Sequence, residues 1–220
     1  MRDGLVVVVE PVRWRGEVCR WDVLIHNRCY GPGQVLIRRS AFEHAGGFPL
    51  DRTGSDDWAL WIELTRFGPI IGDERIGLGY RFHDGNYSRN VVTMYRGAVA
   101  VSDDATASLC GQHAPLARCL SANFIDGVYA AKLAEATTDA FAAFKFSSFF
   151  DLLRARVDLH YRTLSARLRL KKILVRDQGR FRMSVHELSR NANFCLPCSG
   201  AARAAEVGVD PRPHAIKELA

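Results

Sequence analysis

Residues 34–86 read QVLIRRSAFEHAGGFPLDRTGSDDWALWIELTRFGPIIGDERIGLGYRFHDGN, a stretch in which short apolar runs and capped helical segments take turns. Val35 to Arg38 leaves the turn Tyr30-Gly31-Pro32-Gly33 and reads as a strand, because proline presets φ in the turn and the glycines permit positive φ. Ser40 is a good cap for a helix over Ala41 to Ala45, and Gly46-Gly47 ends it by admitting the left-handed residue a helix terminus prefers. Ser55 caps a longer helix, whose Trp58, Trp61, Ile62 and Leu64 to Phe67 recur at helical spacing up to Gly68. Ile76 to Phe82 follows as a strand candidate.

Outward from this stretch, Val6 to Val9 is a β-branched run that suits a buried strand and stops at Glu10 and Pro11. Trp21 to Ile25 fits an extended or a helical piece, and Ser88 to about Val101 a helix. Strand and helix thus alternate up to roughly residue 108, which predicts one half of an α/β domain. After Gly111 the character changes. Leu116 to Ala136 and Phe141 to Val175 are rich in alanine, leucine and arginine and predict two or three helices. The last carries Phe149, Leu153, Val157, Tyr161, Leu164 and Leu168 along one stripe, against Arg154, Arg156, Arg162, Arg167, Arg169, Lys171, Lys172 and Arg176. Such a helix over 148–176 either packs its stripe on its own domain or lies as a peripheral contact on an anionic membrane. Beyond Arg176 periodicity fades, and 177–220 is expected to be a poorly ordered tail.

The 220 residues suit one domain with an appendage. Thirty basic against 24 acidic residues give a net charge of +6, which favours anionic partners. No apolar run approaches the roughly 18 to 20 residues of a membrane helix, and Leu5 to Val9 is too short for a signal peptide core, so a cytoplasmic location is expected. The six cysteines are expected to be reduced thiols.

The order of these pieces resembles family-2 inverting glycosyltransferases with the GT-A fold. In that family a strand ending in an IRR edge is followed by a short helix and a GGF loop, here Gly46-Gly47-Phe48. An acidic pair, here Asp56-Asp57, opens a helix written D-W-x-L-W, and a strand closes with Y-R-x-H, here Tyr80 to His83. The family's nucleotide-binding half, with βαβ units and a metal-binding D-x-D motif, does not precede these pieces in this sequence. The resemblance therefore implies a partial, Rossmann-like GT-A domain of α/β class over 1–110, its acceptor-side half, followed by a helical extension over 111–176. It implies transfer of a sugar from a nucleotide-sugar donor to a hydroxyl of a glycan or lipid-linked acceptor, with inversion, assisted by Mg²⁺ or Mn²⁺. Bacterial surface polysaccharide assembly is the setting the family suggests, at the inner face of the membrane.

Inverting transfer needs a carboxylate to take the proton of the attacking hydroxyl. Asp56 and Asp57 sit where a helix N-terminus would hold a carboxylate ionised, although acids in a first turn are commonly mere caps. By resemblance Asp57 is the base and Asp56 its positioning partner. Many relatives carry arginine where this chain has Glu63. His83 is a metal-ligand candidate and Arg81 a diphosphate contact or the partner of a carboxylate. Phe48 either faces a sugar or anchors its loop, and Trp58 either stacks on an acceptor ring or is buried with Trp61.

Cys195-Leu196-Pro197-Cys198 is a single C-x-x-C without the second pair a zinc site requires. No nucleic-acid module signature is present, and no nucleic-acid partner is expected. A different reading of the chain is a non-catalytic acceptor-binding or membrane-adapting module, because leaving-group stabilisation would have to come from the missing half. The exposed edge of a half-sheet also invites self-association into a homo-oligomer.

Overall fold

A computed structural model of the chain describes residues 16–29, 31–52, 54–73, 78–79, 85–109 and 113–176. The elements in order are β1 (Gly16–Val18), α1 (Arg20–Ile25), α2 (Arg39–His44), α3 (Asp56–Leu64), β2 (Ile70–Gly72), α4 (Val91–Ala107), α5 (His113–Ala142) and α6 (Phe146–Arg176). Single 3-10 turns at Pro32–Gln34 and Tyr87–Arg89 lie between them.

The architecture is helical, which corrects the expectation of a Rossmann-like α/β half-domain. Helix accounts for 71% of the described residues. Their only strands are β1 and β2, a two-stranded antiparallel ribbon with Gly16 opposite Gly72, Glu17 opposite Ile71 and Val18 opposite Ile70. Val35 to Arg38 has extended backbone at Val35 but no strand partner among the described residues, and Leu36 is fully exposed. A short apolar run acquires β structure only when a neighbour satisfies its ladder, and no described segment does so. The strand expected over Val6 to Val9 lies outside the described residues. So does most of Ile76 to Phe82, whose described members Leu78 and Gly79 are in no strand.

Three long helices dominate. In α4 the side chain of Asn90 caps the first turn by accepting from the Thr93 amide at 3.1 Å, and Tyr95, Ala98, Val101 and Ser102 then recur on the buried face. α5 tolerates Pro115 because the amides of a helix's first turn have no partner one turn back. Its buried face runs Ser121, Ile125, Tyr129, Leu133, Thr137 and Ala140. Ser102 of α4 and Ser121 of α5 share a buried hydroxyl–hydroxyl bond of 2.7 Å, and small residues there let the helices approach closely. α6 is fixed to α4 by polar contacts. The Tyr95 hydroxyl donates to Asp158 at 2.6 Å, and Arg162 donates to Asp158 and Asp103, each at 3.0 Å.

The expected boundary near residue 110 does not divide the core. Ile125, Tyr129 and Leu133 of α5 and Leu152 and Leu159 of α6 belong to the same apolar cluster as Trp58, Trp61 and Tyr95. α1 reaches two clusters, with Val23 in this one and Leu24 and Ile25 against Ala117 of α5. The buried stripe of α6 is Leu152, Ala155, Leu159, Thr163 and Ala166. Of the stripe anticipated from sequence, Phe149 packs against the core, whereas Leu153, Val157, Tyr161, Leu164 and Leu168 are exposed.

The α5–α6 turn closes by two bonds, Phe144 N–H to Phe141 C=O at 3.0 Å and Lys145 N–H to Ala140 C=O at 2.9 Å. This is the Schellman pattern, whose left-handed position ordinarily holds glycine. Here it holds Phe144, at φ 55° and 79% exposed. A side chain in that conformation costs about 1 to 2 kcal/mol, and glycine gives back part of the gain as unfolded-state entropy. Phe144→Gly is therefore expected to raise stability by about 0.5 to 1 kcal/mol, read from the urea unfolding midpoint.

Candidate functional site

The approach to α3 is built from two consecutive left-handed residues, Gly54 at φ 81° and Ser55 at φ 63°. Gly54 is obligatory on steric grounds as well, since a Cβ there would lie 3.1 Å from the Thr93 carbonyl oxygen. Ser55 occupies the N-cap position, but its hydroxyl does not cap the helix as the sequence led one to expect. Ser55 is buried instead, close enough to Tyr129 on α5 for its hydroxyl to act on the phenol's acidity. The bend delivers Asp56 and Asp57 to the first turn of α3, both partly exposed.

Asp57 Oδ1 accepts the Trp58 amide at 2.6 Å. Burial raises the Asp57 carboxyl above its ordinary value, and the charge of Asp56 adds to the rise. The amides of Trp58 and of Asp57 itself oppose it. Two further titratable groups feel this carboxylate. Burial pushes the Cys29 thiol up to about 11, with the Asp57 charge adding to it. Burial pushes the Tyr129 phenol up to about 12, with the Ser55 hydroxyl opposing and the Asp57 charge adding to the rise. Asp57, Cys29 and Tyr129 thus converge from α3, the segment after α1, and α5. On the far side of Trp58, its ring meets Phe124 edge-on at 5.8 Å, and Phe124 meets His26 edge-on at 5.2 Å. Burial, and then the charge of Arg28, lowers the His26 pKa, with Asp22 opposing. Its Nδ1 is buried without a hydrogen-bond partner among the described residues.

Trp58 does not present a ring to an acceptor. It is 1% exposed, and its indole N–H donates to the Val23 carbonyl at 2.6 Å, so the stacking role gives way to a structural one. Phe48 packs edge-on against Phe42 at 5.7 Å and Trp61 at 6.4 Å, which is the anchoring role. Gly46 and Gly47 stand at φ 82° and 72°, and their amides bond back to Glu43 and Phe42 to close α2. A Cβ at Gly47 would meet the Phe42 ring at 3.3 Å, so its close neighbour is the protein's own ring. Arg81, His83 and the Cys195–Cys198 motif lie outside the described residues.

The sequence reading missed Cys29, Tyr129 and the approach of Ser55 to Tyr129. Tyr129 carried a signal, because a phenol in the register of Ser121, Ile125 and Leu133 sits at a core position and needs a buried partner. Cys29 carried none. Among the described residues no group of three or more His, Cys, Asp or Glu side chains is placed to hold a metal ion, so the Mg²⁺ or Mn²⁺ that the resemblance implies finds no complete ligand set there. The arrangement offers one solvent-reachable carboxylate of raised proton affinity on a rigid helix end. It is equipped to accept a proton from a hydroxyl placed beside it.

Neither a protein-family model, nor a curated protein, nor a solved structure matches this chain.

Proposed function

We propose that these residues form the acceptor-side, base-bearing part of an inverting sugar transferase, with Asp57 as general base. The observation that carries the reading is the Asp57 carboxylate itself: partly buried, raised in proton affinity, and fixed by the Trp58 amide at the start of α3. The acceptor hydroxyl gives its proton to Asp57 as its oxygen bonds to the anomeric carbon. The bond from that carbon to the donor phosphate breaks, and its electron pair leaves with the nucleoside diphosphate. Asp56 adds negative charge beside the base and helps hold the proton.

A second reading, a non-catalytic acceptor-binding module, is favoured by the helical architecture and by the lack of a metal-ligand group among the described residues. Mixing the protein with nucleotide-diphosphate sugars and glycan or lipid-linked acceptors separates the two. Transferase activity should release nucleoside diphosphate only when donor and acceptor are both present. The acid limb of its pH–rate profile should be set by Asp57 and lie above the ordinary carboxylate value of 3.8. Acceptor binding with no diphosphate released across the panel would favour the module.

A further inference from the structure

The face of α6 that points away from the core is apolar from Phe146 to Leu168. Phe146, Val157 and Leu168 are spaced eleven residues apart, as are Phe150 and Tyr161, and Leu153 and Leu164. An eleven-residue repeat is close to three full turns, so these seven side chains form a nearly straight ridge about 33 Å long. They are 38% to 70% exposed, and the ridge runs on into Phe141 and Phe144 at the α5–α6 turn. With about 150 to 200 Å² per full side chain, the uncovered area is on the order of 900 Å², above the roughly 300 to 600 Å² of the largest patch on an ordinary monomer.

Basic side chains flank the ridge on both sides. At about 100° per residue, Arg154 and Lys172 fall on one side and Arg156, Arg167 and Lys171 on the other. The acids of α6 are turned to other uses: Asp158 is held by Tyr95 and Arg162, and Asp151 lies 3.5 Å from Arg154. Two such ridges facing each other would bring basic flanks together, so the charge disfavours a second copy as the occupant. No helix among the described residues is long and apolar enough to cross a membrane.

We propose that this face of α6, with the phenylalanine tip of the α5–α6 turn, docks the protein onto the surface of an anionic lipid bilayer. The helix lies in the interface plane, its ridge among the acyl chains and its arginines and lysines reaching back to the headgroups. Phe144 enters first, and the left-handed backbone that costs stability in water holds its ring outward. The proposal is independent of the chemistry at Asp57.

The test is co-sedimentation of the intact chain with vesicles of phosphatidylcholine alone and of phosphatidylcholine mixed with phosphatidylglycerol. Binding to the mixed vesicles is expected, with little to the neutral ones and a marked loss as salt rises from about 0.1 M to about 0.5 M. Arg156→Glu and Lys171→Glu should each weaken partitioning at least about fivefold. Phe144→Gly should weaken it about tenfold while leaving the fold more stable, which separates docking from folding. Equal binding to both vesicle types, or binding to neither, overturns the proposal. A dimer seen by light scattering and dissolved by Val157→Asp, without vesicle binding, would assign the face to a second copy instead.

Discussion

Asp57→Asn is expected to lower sugar transfer by a factor on the order of 100 or more, as loss of a general base does, and at the same time to stabilise the fold. The two effects have one cause. The folded-state pKa of Asp57 lies above its ordinary value of 3.8 because burial penalises the charge. Between 3.8 and the folded value the folded chain therefore holds more protons than the unfolded chain, and stability falls as pH rises through that window. Above it the full penalty is present. Asparagine removes the charge, keeps an oxygen for the Trp58 amide, and so is expected to unfold at higher urea concentration near pH 7. The gain should shrink as the wild-type carboxyl protonates in acid. Unchanged turnover with lost stability would instead make Asp57 a simple helix cap. A gain in stability coupled to lost activity is the usual mark of a group retained for function.

Trp58→Ala is expected to have the largest effect on stability, about 3 to 5 kcal/mol. The ring is 1% exposed, meets Phe124 edge-on, and satisfies the Val23 carbonyl, which would be left buried without its donor. Against a typical total of about 5 to 15 kcal/mol, such a loss leaves a substantial unfolded fraction. Trp58→Phe keeps the packing and should cost much less. Urea unfolding followed by circular dichroism reads both. A loss under about 1 kcal/mol for the alanine variant would take the ring out of the core and reopen its role as a sugar platform.

The parts of the fold legible in the sequence are those set by local chemistry. The glycine pair that closes α2, the acidic start of α3 and the alanine- and arginine-rich helices after residue 113 follow from caps, φ and propensity within a few residues. The sheet was not legible, because the run at Val35 to Arg38 is compatible with a strand and with an unpaired extended segment, and only a neighbouring chain segment decides. α6 shows a different difficulty. It has two apolar stripes on opposite sides, and the larger side chains of Leu153, Val157, Tyr161, Leu164 and Leu168 drew the assignment to the exposed one. Ala155, Thr163 and Ala166 face the core because their small size lets α6 approach its neighbours. Within the site, the position of Asp57 was readable from the acidic pair, whereas Cys29 and Tyr129 reach it across long stretches of chain.

That last separation bears on the order in which the molecule assembles. The α5–α6 hairpin joins elements adjacent in sequence through a turn of three residues, so its closure loses little chain entropy and is expected to precede the rest. The approach of Ser55 to Tyr129 instead closes a loop of about seventy residues, and that of Cys29 to Asp57 one of about thirty. The α5–α6 hairpin is thus expected to form early and the carboxylate site late, so perturbations at Tyr129 should act mainly on the unfolding rate and those in the hairpin mainly on the folding rate.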